Sequence, residues 1–483
     1  MTRILLKNIG TLHTCDDRRQ VLKHAYLVVD GNVIREVGAG AAPGGAFDRE
    51  IDLAGCIVMP GLVNIHHHFY QSVSRAVPAA QRGHLVAWLK LVYPIWSRLT
   101  PADLAAATSA ACAELLLTGR TTTADHSYLL PGARAEFVDE EVSAALGTGI
   151  RLHLVRGSLT TFEDDIEQEL TARLGARAGG LLDDEQSVLA DMTRTARRYH
   201  DTSFGSHTRV GFGPTTVTYR NMQFMRDIAT LATEFGCGLH THFHPRLDER
   251  EAAAKLPGGT PTGFLKETGW LRPSTWFAHS TRLNDHEIAV LADAGCAIAH
   301  CPRMILRLGA RVPPIHAYRQ RGIRVGVGVD GAASNDAGSM IGELRLVPLL
   351  HRLAGGEGAV SHQEWIDPDD ALDMATRVGA DILGRSDIGS IAAGMNADIT
   401  AFKLDSIGYA GAVADPLAAL LLAGSEQRAY LTMVGGQIKV LNGSLCDQDE
   451  QRLRRGLDAA ASRILTEAAQ LTGVVYENYP TRT

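Results

Sequence analysis

Eight short apolar runs alternating with helical stretches limit most sharply what this chain can fold into. They read "GLVNIHHH", "TTTADHS", "IRLHLVRGS", "TRVGFGPTT", "CGLHTHFH", "TWFAHS", "CAIAHCP" and "IRVGVGVDGAASND". Each ends in histidine, aspartate, arginine or a Gly/Pro turn. Between them lie helical segments such as "LVAWLKLVYPIWSRL" and "PADLAAATSAACAELLLTG". Repeated strand–helix units imply a parallel sheet, and eight of them over roughly 320 residues suit a (β/α)8 TIM barrel. Such barrels build their active sites from the C-terminal ends of the strands. These runs carry their polar residues there.

The two ends of the chain have a different texture. "AYLVVDGNVIREVG" is two strand-like runs around Asp30-Gly31-Asn32, a hairpin signal. The same pattern returns in "ADITAFKLD" and "LTMVGGQIKVLNG". One small composite β-sandwich built from both termini accounts for both. The expected organisation is therefore 1–58 and 386–446 for the sandwich, 59–385 for the barrel, and 447–483 for a C-terminal helix and tail. A net charge of −7 offers no basic footprint for nucleic acid. No apolar run is long enough for a membrane helix, and the N-terminus does not read as a signal peptide. Seven scattered cysteines without a C-x-x-C pair read as reduced thiols of a cytoplasmic protein.

Side chains on an extended strand alternate faces, so His66 and His68 share one face and His67 takes the other. "GLHTHF" places His240 and His242 together in the same way. His279, His300 and Asp330 close the last three runs. Several imidazoles and one carboxylate at one barrel mouth suit zinc, or iron as a second choice. A structural zinc site usually has four closed ligands and often cysteine. No cysteine lies beside the candidate ligands on the first, fifth or eighth run.

"PGLVNIHHH", "GLHTHF", "WFAHS" and "GVGVDGAASND", in this order and spacing, resemble the amidohydrolase superfamily. "HHHFYQS", "TTTADHSYLLP", "RLHLVRGS" and "DGAASND" are similar to its branch of 8-oxoguanine deaminases and s-triazine hydrolases. The resemblance covers nearly the whole chain. It implies one divalent metal held by His66, His68, His242 and Asp330. It also implies that Asp330 takes a proton from the bound water and that His279 contacts that water or polarises the substrate. The substrate implied is a small nitrogen heterocycle of purine, pterin or triazine type. The reaction is hydrolysis of a non-peptide C–N bond, foremost deamination by a metal-bound hydroxide. Relatives are commonly homo-oligomers, so a homodimer or larger assembly is expected.

The pattern breaks in two places. Relatives carry a glutamate three residues after the fifth-strand ligand, where "HTHFHPRLDE" has Pro245. In deaminases that glutamate shuttles a proton, and losing a positioned acid costs about 10²–10⁴ in rate. A neighbour can replace it (His244, Asp248, Glu249 or His126). Alternatively the substrate needs no such proton, as in ring-opening of a cyclic amide or dechlorination by Asp330 alone. The third reading is a metal-bearing pseudoenzyme that only binds a heterocycle. After the seventh run, "HCPRMILRLG" has Arg303, Met304 and Ile305 where relatives have a small polar stretch.

Gln71, Trp88, His126, Arg156, His244 and Arg303 are the candidate substrate contacts. Trp88 and Tyr93 either stack on a flat ring or fill a helix core. Arg156 either meets a carbonyl or anion or forms a buried salt bridge. Arg303 either enters the pocket to meet an acidic substituent or stays a solvated loop charge. Asn335 and Asp336 are expected to hold the loop after Asp330.

Overall fold

The computed structural model describes residues 2–132, 134–162, 164–175, 178–217, 221–244, 247–354, 360–424 and 428–478. Five strands come first: β1 (Arg3–His13), β2 (Val21–Asp30), β3 (Val33–Ala39), β4 (Arg49–Asp52) and β5 (Cys56–Pro60). The Asp30-Gly31-Asn32 turn joins β2 to β3, with Gly31 at φ 62°, as a tight hairpin needs.

Eight strands follow: β6 (Leu62–Asn64), β7 (Arg120–Ser127), β8 (Arg151–Ser158), β9 (Thr208–Pro214), β10 (Gly238–Phe243), β11 (Thr275–His279), β12 (Ala297–His300) and β13 (Arg324–Val327). They are hydrogen-bonded in chain order, and every pairing is parallel. Ile65 N–H donates to Val327 O at 3.2 Å and Asp330 N–H to His66 O at 3.0 Å, joining the last strand's end to the first's. Val63, Ile65, Ala124, Val155, Trp276, Ala297 and Ala299 fill the interior. The barrel is thus a packed core, with a site only at its mouth.

The chain then returns to the first sheet with β14 (Ile399–Lys403), β15 (Leu431–Val434), β16 (Gln437–Leu441) and β17 (Ser444–Leu445). β14 pairs antiparallel with β5, from Ile399 opposite Pro60 to Lys403 opposite Cys56. The composite domain expected from both ends is therefore one continuous nine-stranded sheet. Its apolar face gathers around Leu6, Ile9, Leu27, Val29, Val58, Ile399 and Met433. The helix Glu450–Thr472 starts on an Asp449 cap and docks Ala460, Ile464 and Ala468 on the barrel exterior.

A buried ion pair ties the sheet to the bottom of the barrel. Arg151, the first residue of β8, donates from Nε and Nη2 to the two carboxylate oxygens of Asp398, both at 2.9 Å. The same guanidinium reaches Asn396 Oδ1 at 2.9 Å and Gly205 O at 2.6 Å. Both partners of the pair are 1% exposed. Removing one member of such a pair strands the other charge and costs about 3–5 kcal/mol. An Arg151→Met variant is expected to lose that much, read from the midpoint of urea unfolding.

Candidate metal centre and active site

β6 stops at Asn64, so His66, His67 and His68 lie just beyond the strand end. The backbone there is still extended (His68 has φ −139°, ψ 91°), and the alternation of faces persists. His67 turns to Asp125, Nδ1 to Oδ1 at 3.8 Å. His66 and His68 turn inward.

Their hydrogen bonds settle where the protons sit. A backbone carbonyl only accepts, so the ring nitrogen facing one carries hydrogen. His68 Nδ1 donates to His126 O and His240 Nδ1 to Trp276 O, both at 2.8 Å. His242 Nδ1 donates to Thr215 O. His240 therefore has a bare Nε2, which accepts from His66 Nδ1 at 2.8 Å. What remains is three unprotonated Nε2 atoms, on His66, His68 and His242, aimed at one region. His66 Nε2 is buried without a hydrogen-bond partner among the described residues, and the Nε2 atoms of His68 and His242 lie 3.2 Å apart. Lone pairs that close repel one another unless a cation lies between them.

Asp330 supplies the negative charge. Its Oδ1 is 3.5 Å from His66 Nε2 and 3.4 Å from His68 Nε2, and its Oδ2 is 3.5 Å from His279 Nε2. Burial above all, then neighbouring imidazoles, holds His66 well below its ordinary pKa and brings His242 down to about 4. Neutral imidazoles are what a divalent metal requires. The donor set of histidine nitrogens and one carboxylate thus fits a divalent metal ion. His126 joins the ligand-distance group with His66, His68 and His242.

Two of these groups sit in strained backbone. His279 has φ 71° and Asp330 φ 62°, a region that costs about 1–3 kcal/mol and collects at functional sites. His279 ends β11 and Asp330 lies three residues past the end of β13, and the left-handed step turns each side chain onto the cluster. The loop after Asp330 is tied down from several sides. Gln71 Oε1 accepts from the N–H of Ser334 at 3.2 Å and of Ala333 at 3.3 Å. A Cβ on Gly331 would fall 2.1 Å from the Gln71 amide, so only glycine lets that amide lie over the loop. Asn335 Nδ2 donates to Glu343 at 2.8 Å, and Asp336 accepts from Ala76 N–H at 2.8 Å and Arg307 at 2.7 Å.

The cluster opens into a cavity of about 440 Å³, the size of a small-molecule site. Trp88, Tyr93, Phe162, Leu85, Leu89 and Leu308 make its apolar wall. Gln71, His244, His279, Asp330 and Ser334 line the polar side. His279 lies between two parallel rings, with His242 at 5.4 Å and 15° and His244 at 4.9 Å and 17°. Of the expected substrate contacts, Gln71, Trp88 and His244 line the cavity.

The other three are placed elsewhere. Arg156 is fully buried and donates to Asp191 at 2.6 Å, so it is a salt-bridge residue off the cavity wall. Arg303 turns to the buried Glu343, Nε to Oε1 at 3.5 Å, and its backbone N–H donates to the same carboxylate at 2.9 Å. His126 belongs with the ligand nitrogens and not with the lining. Pro245 lies outside the described residues, as does the side chain of Asp248.

Two groups were missed. Cys301, at the end of the β12 run, comes within ligand distance of His66 and Asp330, although no cysteine adjoins the ligands in sequence. Tyr128 lines the cavity and stands 5.3 Å from the His68 ring. Its spacing of two from His126 on an extended segment was the available signal. Glu249, one of the candidate replacements for the absent glutamate, also lines the cavity.

His240 supports the centre from below. It fixes the His66 tautomer and stacks on Trp276 at 4.6 Å. Losing such a partner costs about 10–100-fold in metal affinity. A His240→Phe variant is expected to fall in that range when zinc is titrated against a chromophoric chelator.

The sequence profile of the amidohydrolase family matches residues 57–439. An 8-oxoguanine deaminase of Pseudomonas aeruginosa is 39% identical over 444 residues, covering 91% of this chain and 94% of that protein. A hydroxydechloroatrazine ethylaminohydrolase of Pseudomonas sp. strain ADP is 32% identical over 479 residues, covering 96% of each. Among solved structures, the atrazine chlorohydrolase of Arthrobacter aurescens TC1 in complex with zinc superposes with a TM-score of 0.87. That match is 33% identical and covers 95% of this chain and 100% of that one. Among the described residues, no helix is long and apolar enough to cross a membrane.

Proposed function

Because this chain belongs to the amidohydrolase family, we propose that it deaminates a small nitrogen heterocycle of purine, pterin or triazine type. The observation that carries this reading is the convergence of three bare Nε2 atoms and one carboxylate on the floor of an aromatic-lined cavity. His66, His68, His242 and Asp330 would hold one zinc ion. The ion, when bound, lowers the pKa of a coordinated water toward about 7 and so supplies a nucleophile at neutral pH.

The protein's own groups do the rest. Asp330 accepts a proton from the attacking water. His279, held between two imidazoles, donates a hydrogen bond where negative charge develops on the ring. Trp88 and Tyr93 present aromatic surface to the flat substrate, and the apolar wall keeps bulk water out. Gln71 holds the loop after Asp330 through its amide oxygen. The assembly in this reading is a homodimer or larger, and the compartment is the cytoplasm.

The test is a panel of 8-oxoguanine, isoxanthopterin and an aminotriazine, offered to zinc-replete protein. Ammonia is followed by a coupled assay and product by mass spectrometry. Ammonia with an amino group replaced by oxygen is the expected result. A new carboxylate from an opened ring, or no turnover on any member, defeats the proposal.

A further inference from the structure

Cleaving the bond between carbon and an amino nitrogen sets a second demand on the site. An unprotonated amide ion is far too basic to depart, so the nitrogen must gain a proton as it leaves. The donor must lie on the cavity wall. Among the described lining residues there are two carboxylates, Asp330 and Glu249. Asp330 has both oxygens directed at the histidine cluster, at 3.4–3.5 Å from three rings, and takes a proton from the water.

Glu249 is differently placed. It lies on the helix Leu247–Ala253, which follows β10 and therefore starts at the barrel mouth. It is 6% exposed, which is rare for a glutamate. It stands between the main cavity and a small apolar cleft lined by Val217, Ala253, Leu256 and Phe264. Thr216, His244, His279 and Thr281 line the same cavity. A largely water-excluded carboxyl lining the cavity onto which the metal cluster opens suits proton delivery better than surface solubility.

Resting on the deaminase reading above, we propose that Glu249 is the acid that protonates the departing nitrogen. The balance closes over one turnover. Water contributes its hydroxyl to the ring carbon as the C–O bond forms, and the C–N bond breaks with its electron pair going to nitrogen. Glu249 gives its proton to that nitrogen, and ammonia leaves. The proton taken by Asp330 from the water then returns the Glu249 carboxyl to its starting state, so neither residue is consumed.

The experiment uses the full zinc-loaded chain and its Glu249→Gln and Glu249→Asp variants. Each is assayed on the best amino substrate of the panel and on the same ring bearing chlorine, which departs as chloride and needs no proton. Glu249→Gln is expected to lower kcat on the amino substrate by about 10²–10⁴ with KM within threefold. On the chlorinated ring its kcat should change by less than tenfold. Glu249→Asp, still an acid, should recover part of the loss. Zinc content and melting temperature should match the wild type, which separates chemistry from folding.

Equal loss on both substrates, a change confined to KM, or full activity of Glu249→Gln overturns the assignment while leaving the deaminase reading intact. If Glu249→Gln fails to fold, Glu249→Asp decides alone: equal loss on both rings overturns the role, and loss on the amino ring only supports it. A wild type that turns over no amino substrate removes both proposals.

Discussion

An Asp330→Asn variant is expected to keep its fold and lose about 10³-fold or more in kcat. Asparagine is nearly isosteric with aspartate and among the residues that best tolerate positive φ, so the backbone at φ 62° need not move. It can still accept the 2.7 Å bond from Gly331 N–H. What it cannot do is take a proton from the attacking water or balance the positive charge of a bound ion. Positioned acid–base catalysis supplies about 10²–10⁴ in rate, and electrostatic loss adds to it. The melting temperature and kcat of zinc-loaded variant, compared with wild type, decide the point. More than a tenth of native activity would show that another group activates the water.

His66→Ala should have the largest effect on the metal itself. His66 is fully buried, and the rings of His68, His240, His242 and His279 surround it at 4.7–5.1 Å. Its removal deletes one ligand and leaves His240 without the hydrogen bond it accepts. Zinc content is expected to fall from near one per chain to below a tenth, measured by elemental mass spectrometry after gel filtration. Wild-type protein should melt higher with zinc than without, because an ion that binds only the folded form stabilises it. The variant should show no such difference. A stoichiometric ion in His66→Ala would mean that the centre is assembled differently.

Much of this was readable beforehand, for identifiable reasons. Strand periodicity placed His66 and His68 on one face, and eight repeated runs implied a barrel mouth where their ends meet. The fate of the arginines was not readable. Arg156 reads equally as a substrate contact or a buried salt bridge, and Arg303 as a pocket charge or a solvated one; Asp191 and Glu343 hold them. Those carboxylates lie tens of positions away and carry no local signal. Cys301 is the converse case: its separation in sequence from His66 and Asp330 hid its adjacency to them in space. His126 was recognised as belonging to the site, but periodicity cannot say whether an inward ring meets metal or substrate.

The pairing of β5 with β14 has a bearing on how the protein is made. β5 ends at Pro60 and β14 begins at Ile399, so a ribosome must translate the entire barrel before the inner edge of β5 finds its neighbour. Until then that edge presents unpaired backbone groups, which invite contact with other nascent chains. Truncated chains ending before Ile399 would keep that edge exposed, and they would be natural clients for chaperones and proteases.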